Sequence, residues 1–457
     1  MIMKYDAIIV GSGIGAMATA TLLGAKDKKV LVLERNATLG GRLSTITTHK
    51  GFIVDYGVHL ISCGLKGPLG KIFERVGHDC KLEFRSVRPV TSFQGEIFVF
   101  PHDLKERLSE EEYLNTKACL KSIYQLTDEE VNTYDTITFD EYLQRYSKDL
   151  FVQACFCNIS RIFCGLQTWE VSAASFMRCL RNEHNAHSSG YPVGGCGAII
   201  QEFQNAFADK DVEVRTNANV EKIVVRDNKA VGVMVNGEFI EADAVISNAD
   251  IKTTVHSLVG DEYFTPDYVK YVDDLLFSDT PNIIRVALDK KISDVQMLTQ
   301  IGAVDTRKYV DQLLNGEIPE ELNMFLVCPS NFCESVAPEG MMLVNFLANI
   351  PTFGVPKSVV DNLEEAMLNT VEKYFPGLRE HIVWKEFDTS ATTEALFSAA
   401  GAAIGIGQYA NQSGAYRPKH SCSVEGLYFV SASAGGTGCG TEMVMNSALE
   451  FVDKYYG

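Results

Sequence analysis

The chain has 457 residues, 46% hydrophobic and 22% charged, which allows two or three domains with a sizeable core and excludes a disordered protein. Its 41 Lys and Arg against 59 Asp and Glu give a formal charge of −18, a surface that repels phosphate backbones, so no nucleic-acid partner is expected. Twelve cysteines are irregularly spaced without any C-x-x-C, which argues against both a disulfide framework and a metal site. No charged n-region, apolar h-region and cleavage site precede Ala7-Ile8-Ile9-Val10, and no apolar run approaches the roughly 18 residues that span a bilayer. The expected location is cytoplasmic, with at most a peripheral membrane contact.

Ala7–Val10 reads as a buried strand, Gly11–Gly15 as a turn, Ala16–Gly24 as a small-residue helix and Val30–Glu34 as a second strand. This order predicts one βαβ unit with parallel strands. From about 100 to 190 the pattern is helical, with an acidic start at Ser109-Glu110-Glu111-Glu112 and apolar residues three and four apart. Alternating strands occupy 212–247, with Asn236-Gly237 as a hairpin turn. Residues 260–400 mix strands and helices, and a glycine-rich tail leads into a last helix, Glu442–Tyr455. The predicted class is α/β: a Rossmann-like nucleotide-binding domain (1–90, 190–258 and 400–457) interleaved with a mixed α+β substrate-binding domain (91–189 and 259–399).

Gly11-Ser12-Gly13-Ile14-Gly15-Ala16 fits G-x-G-x-x-G/A between a strand and a helix, and Glu34 closes the next strand. Gly11 permits the tight turn, Gly13 lets backbone approach a pyrophosphate, and Ala16 allows close packing of helix on strand. The N–H groups of the helix N-terminus then hold a diphosphate, and Glu34 is placed to accept from ribose hydroxyls. After Glu34-Arg35, the run Gly40-Gly41-Arg42 adds a second phosphate-binding turn with a planar guanidinium. Asp55-Tyr56-Gly57-Val58-His59 follows.

At this point the chain resembles, over nearly its whole length, the FAD-dependent phytoene desaturase and amine oxidase superfamily. Tyr191-Pro192-Val193-Gly194-Gly195-Cys196-Gly197 is similar to the family's Y-P-x-G-G-M-G, with Cys196 in place of methionine. Asn219-Val220 through Ala242–Ala249 resembles the strands that cradle adenine, and Gly405, Gln412, Arg417 and Pro418 resemble a carotenoid-desaturase segment. Gly426–Val430 with Gly435–Gly438 resembles the last FAD motif, with Met443 opening the closing helix towards the flavin. The resemblance implies non-covalent FAD, contacted by Gly11, Gly13, Ile14, Gly15, Ala16, Glu34, Arg35, Gly41, Arg42, Tyr56, Gly57, Val58, His59, Val220, Asn248, Ala249, Ser433, Gly438, Glu442 and Met443. One departure is Ser431-Ala432-Ser433, where many members place an acidic residue.

The implied activity is hydride transfer between flavin N5 and a CH–CH bond of a hydrophobic, isoprenoid or polyene-like substrate, the electron acceptor being left open. The run from Phe151–Cys157 to Phe176–Leu180 is apolar, soft and aromatic. A water-poor pocket with few titratable groups is therefore expected between it and segments of 260–400. His59 is the candidate acid or base. His184-Asn185-Ala186-His187 reads as a polar loop and not a metal site, and Glu442 also suits a charge at a helix N-terminus. Rival readings are an amine- or protoporphyrinogen-oxidase-like flavoenzyme, a flavin-dependent double-bond isomerase, and a flavin-free prenyl-binding protein of the GDP-dissociation-inhibitor type. With Trp169 and Trp384 its only tryptophans, the chain shows no obvious aromatic cage for an amine.

Overall fold

The structure, a computed structural model, describes residues 4–457 apart from 58 and 352. Two seven-stranded sheets organise it. In the first, Lys4–Val10 lies between Val30–Leu33 and Glu238–Ser247 and runs parallel to both. Such strands are covered on both faces, which is why Ala7–Val10 and Val30–Leu33 are uninterrupted apolar runs. Val212–Arg215 and Leu427–Phe429 extend the parallel set. The antiparallel Val220–Arg226 and Lys229–Val235 hang from the edge, and their turn at Asn236-Gly237 leading into Glu238 has positive φ at both residues (49° and 80°).

The helix Ile14–Gly24 begins two residues before its expected start, directly on the glycine turn. Gly13, its N-cap residue, supplies no side-chain cap, so the first N–H groups stay available to a ligand. The helix packs against the closing helix Gly440–Tyr456, and residues such as Ala18, Leu22, Ala448 and Phe451 share one core.

The second sheet runs Ile382–Asp388, Thr280–Leu288, Met342–Ile350, Met324–Val327, Met297–Ile301, Pro89–Phe93, Glu96–Phe98. Period-two alternation sorts its faces. Ile284, Val286, Leu298, Leu326 and Phe346 point into a core, while Ile283, Thr299, Phe325 and Leu347 face a cavity. The strand Pro89–Phe93 crosses the boundary expected at 90/91, since pairing with Met297–Ile301 fixes its ends.

Helices Glu110–Gln125, Leu150–Cys164 and Ala173–Ala186 stand over the cavity side. Ser109 caps the first of them by accepting from Glu112 N, and the acidic first turn complements the helix dipole. No disulfide joins the cysteines among the described residues. No helix among the described residues is long and apolar enough to cross a membrane.

Candidate functional site

The strand order reverses across the first sheet at Lys4–Val10, so a crevice opens beyond the carboxyl ends of its parallel strands. Val10-Gly11, Leu33-Glu34, Asn248 and Ser431 all end there, on one wall of a cavity of about 790 Å³. That volume lies within the range of small-molecule and cofactor sites. The cavity extends from Glu34 to the inner face of the second sheet.

Of the residues expected to bind cofactor, Gly11, Gly13, Ile14, Gly15, Glu34, Arg35, Gly41, Arg42, Tyr56, Gly57, His59, Val220, Asn248, Ala249 and Ser433 line this cavity. Val58 lies outside the described residues. Ala16 is fully buried behind the turn. Gly438, Glu442 and Met443 do not line the cavity. Glu442 accepts from Cys439 N at 3.1 Å and Asn182 Nδ2 at 2.6 Å, capping the last helix. Burial pushes its carboxyl up to about 7. Because that helix starts at Gly440, Thr441 and Val444 face the cavity while Met443 turns into the interior.

The glycines answer to close approach. A Cβ on Gly13 would sit 2.6 Å from Asn248 Oδ1, and one on Gly15 would sit 2.7 Å from Val444 Cγ1. Glu34 is buried and aligned: Oε2 accepts from Ser12 N (3.0 Å) and Ser12 Oγ (2.7 Å), and Oε1 from Asn36 N (2.8 Å). Arg35 reaches the Ala395 and Leu396 carbonyls, committing its guanidinium to protein. Arg42 donates to Ala402 O at 2.8 Å, but its buried Nε has no partner among the described residues. Burial lowers Arg42 to about 10, so it stays a cation at neutral pH. In place of the missing acidic residue, Ser431, Ala432 and Ser433 line the wall. Buried Arg417 holds that loop by donating to Gly435 O (2.7 Å) and Ala432 O.

His59 is buried, with Nδ1 3.2 Å from Asn345 Nδ2 and Nε2 unpartnered among the described residues. Burial, then the charge of Arg285, lowers it to about 3. That shift favours the neutral imidazole near pH 7.

Arg285 is the residue the motifs did not disclose. It is fully buried, pairs with Asp388, and donates to Asp55 O (3.0 Å) and Tyr56 O. The guanidinium lies 5.1 Å from the Tyr56 ring centroid. Asp55 in turn accepts from Thr45 Oγ1 (2.6 Å), Tyr191 OH (2.7 Å) and Cys196 N (2.8 Å). The segment 55–57 is thus clamped from both sides at the cavity wall.

Beyond His59 the walls are mostly apolar: Ile159, Ile162 and Phe163 from the helix Leu150–Cys164, and Pro281, Ile283, Met297, Phe325 and Leu347 from the second sheet. Residues 87–101, 120–124 and 180–189 contribute as well. His184 stacks on Tyr124 with centroids 3.9 Å apart. Among the described residues, no group of His, Cys, Asp and Glu is arranged to hold a metal ion. Few titratable groups were expected, yet Arg161, Glu183, His184, His187, Asp250 and Asp388 all reach the cavity.

The sequence profile of the flavin-containing amine oxidoreductases matches residues 15–453. The chain belongs to this family and is a flavin-dependent oxidoreductase. It is similar to the chloroplastic prolycopene isomerase of Daucus carota, 27% identical over 94% of this chain and 76% of that one. It is also similar to the lycopene-forming phytoene desaturase of Pseudescherichia vulneris, 24% identical over 96% of this chain and 97% of that one. An oxidoreductase from Methanosarcina mazei shares the fold, with a TM-score of 0.78 at 20% identity over 99% of this chain and 100% of that one.

The donors present fit a flavin dinucleotide. A long cavity joins an uncapped helix N-terminus, a buried arginine with a free N–H, and a carboxylate already oriented by backbone.

Proposed function

We propose that this chain is a non-covalent FAD enzyme that acts on CH–CH bonds of an elongated hydrophobic molecule of isoprenoid or polyene type. The observation that carries the reading is the continuity of the cavity from Glu34 to the apolar face of the second sheet. One void serves both a dinucleotide and a long chain. The desaturase and isomerase relatives, whose names state carotenoid substrates, support the same class.

Glu34 would hold the adenosine ribose, its orientation fixed by Ser12 and Asn36. The N-terminus of Ile14–Gly24 and the Arg42 cation would hold the diphosphate. The rest of the cofactor would lie along Tyr56–His59. When bound, the flavin supplies uptake or return of a hydride equivalent at N5. The chain's residues bind, orient and exclude water: Arg285 and Asp55 fix the wall at Tyr56, and Ile162, Phe163 and Phe325 keep the substrate end dry. Neutral His59 offers a hydrogen bond without a change of charge.

Glu34→Ala is expected to weaken FAD binding by about 1–3 kcal/mol through lost charge-assisted hydrogen bonds. Cofactor titration of the apoprotein measures it, and unchanged affinity would place the ribose elsewhere. For the substrate, the holoprotein is mixed anaerobically with polyenes and, in parallel, with primary and secondary amines. Bleaching of the flavin by polyenes is the expected result. The similarity to a prolycopene isomerase favours one second reading, in which polyene geometry changes without net bleaching. Bleaching by amines alone would overturn the hydrophobic-substrate assignment.

A further inference from the structure

A hydrocarbon substrate has no use for a buried cation, yet one stands in the wall of the cavity. Arg161, on the helix Leu150–Cys164, is 6% exposed and lines the cavity beside Asn158, Asn323 and Asn349. Its Nη2 donates to Asn349 O at 2.5 Å, and Asn349 Nδ2 donates back to Arg161 O at 3.0 Å. The guanidinium lies 5.7 Å from the Tyr309 ring centroid, and Nε finds no acceptor among the described residues. Asp279 and Glu170 act on it only from a distance, and among the described residues neither forms an ion pair with it. Burial raises both carboxyls, and Glu170 helps push Asp279 up to about 7.

Asn323 repeats the pattern. Its Oδ1 accepts from Gly302 N at 2.8 Å, whereas its Nδ2 is buried with no partner among the described residues. The register that pairs Phe325 with Leu347 sets Asn323 opposite Asn349, so Arg161 and Asn323 both lie beside Asn349 in the cavity wall. Asn345, on the same strand and face, touches His59 at the cofactor end. Four residues of strand separate Asn345 from Asn349, about 13 Å.

Leaving such donors against hydrocarbon forfeits their hydrogen bonds, a cost that a ligand oxygen removes. We infer that the substrate carries an acceptor oxygen, carbonyl or carboxylate, at one end of its apolar chain, and that Arg161 and Asn323 recognise it. This specifies the substrate class of the hydrophobic-chain reading above and rests on it. Arg161 and Asn323 are specificity determinants, set one strand-length away from the flavin end.

The test is equilibrium binding to the holoprotein of three isoprenoid probes with a common skeleton: farnesene, farnesal and farnesoate. Perturbation of the bound-flavin spectrum reports binding, and flavin content reports folding. The oxygenated probes are expected to bind about 10–100-fold tighter than farnesene, the worth of a hydrogen bond to a charged donor. Arg161→Met should erase that preference and leave farnesene unchanged. Asn323→Asp keeps the bond to Gly302 N but removes the donor, so it should weaken farnesoate more than farnesal, even if the Arg161 variant does not fold. Farnesene binding as tightly as farnesoate, or a preference that survives both substitutions, would overturn the inference and leave the hydrophobic-substrate reading intact. Failure of all three probes to bind would overturn both.

Discussion

Replacing Arg285 by methionine is expected to cost about 3–5 kcal/mol of folding stability, the penalty for removing one partner of a buried ion pair. The Asp388 carboxylate, 9% exposed, would lose its contact cation. The carbonyls of Asp55 and Tyr56 would lose their donor. Urea unfolding followed by circular dichroism measures the loss. Arg285→Met combined with Asp388→Leu should recover part of it, because the second change removes the stranded charge. Flavin content should remain low in the pair, since neither leucine nor methionine restores the clamp on residues 55–57. A single variant as stable as the parent would show that the pair contributes nothing net.

Asp55→Ala is expected to be similarly costly, about 3–5 kcal/mol, because it strands three donors at about 1–3 kcal/mol each before relaxation. Tyr191 OH, Cys196 N and Thr45 Oγ1 all point at this one carboxylate. Burial raises its pKa while these three bonds lower it, and burial dominates. Asp55→Asn retains an acceptor oxygen and should lose less. Since Asp55 and Arg285 hold the same segment, the double variant should cost less than the sum of the singles. Thermal melts of the four proteins give the coupling; strict additivity would separate the two anchors.

What the sequence disclosed and what it hid have physical causes. The βαβ unit was legible because parallel strands covered on both faces leave continuous apolar runs, and because the glycines between them answer to contacts with Asn248 and Val444. The hairpin at Asn236-Gly237 was legible from its turn chemistry. The closing helix starts at Gly440 and not at Glu442, and on it Val444 lines the cavity while Met443 is buried. Arg35 lines the cavity, but nothing local shows that its guanidinium goes to the carbonyls near Leu396.

Arg285 was hidden by distance, some 230 positions from the Asp55 it serves. One signal was present: a lone charge inside the apolar run Ile283–Leu288, where a buried cation must find partners. His59 illustrates the converse. Burial and the neighbouring Arg285 lower its pKa, and neither influence is visible in its flanking residues. Arg161 sat in a stretch read as soft apolar wall. Only the register of the second sheet brings it to Asn323 and Asn349.

The central claim, that the cavity from Glu34 to His59 is a non-covalent FAD site, is tested most directly by acid precipitation of the purified protein and chromatography of the supernatant. Yellow protein that releases FAD, with a colourless pellet, is the expected result. FMN in the supernatant, pigment retained on the pellet, or a colourless protein that takes up no added FAD would contradict it.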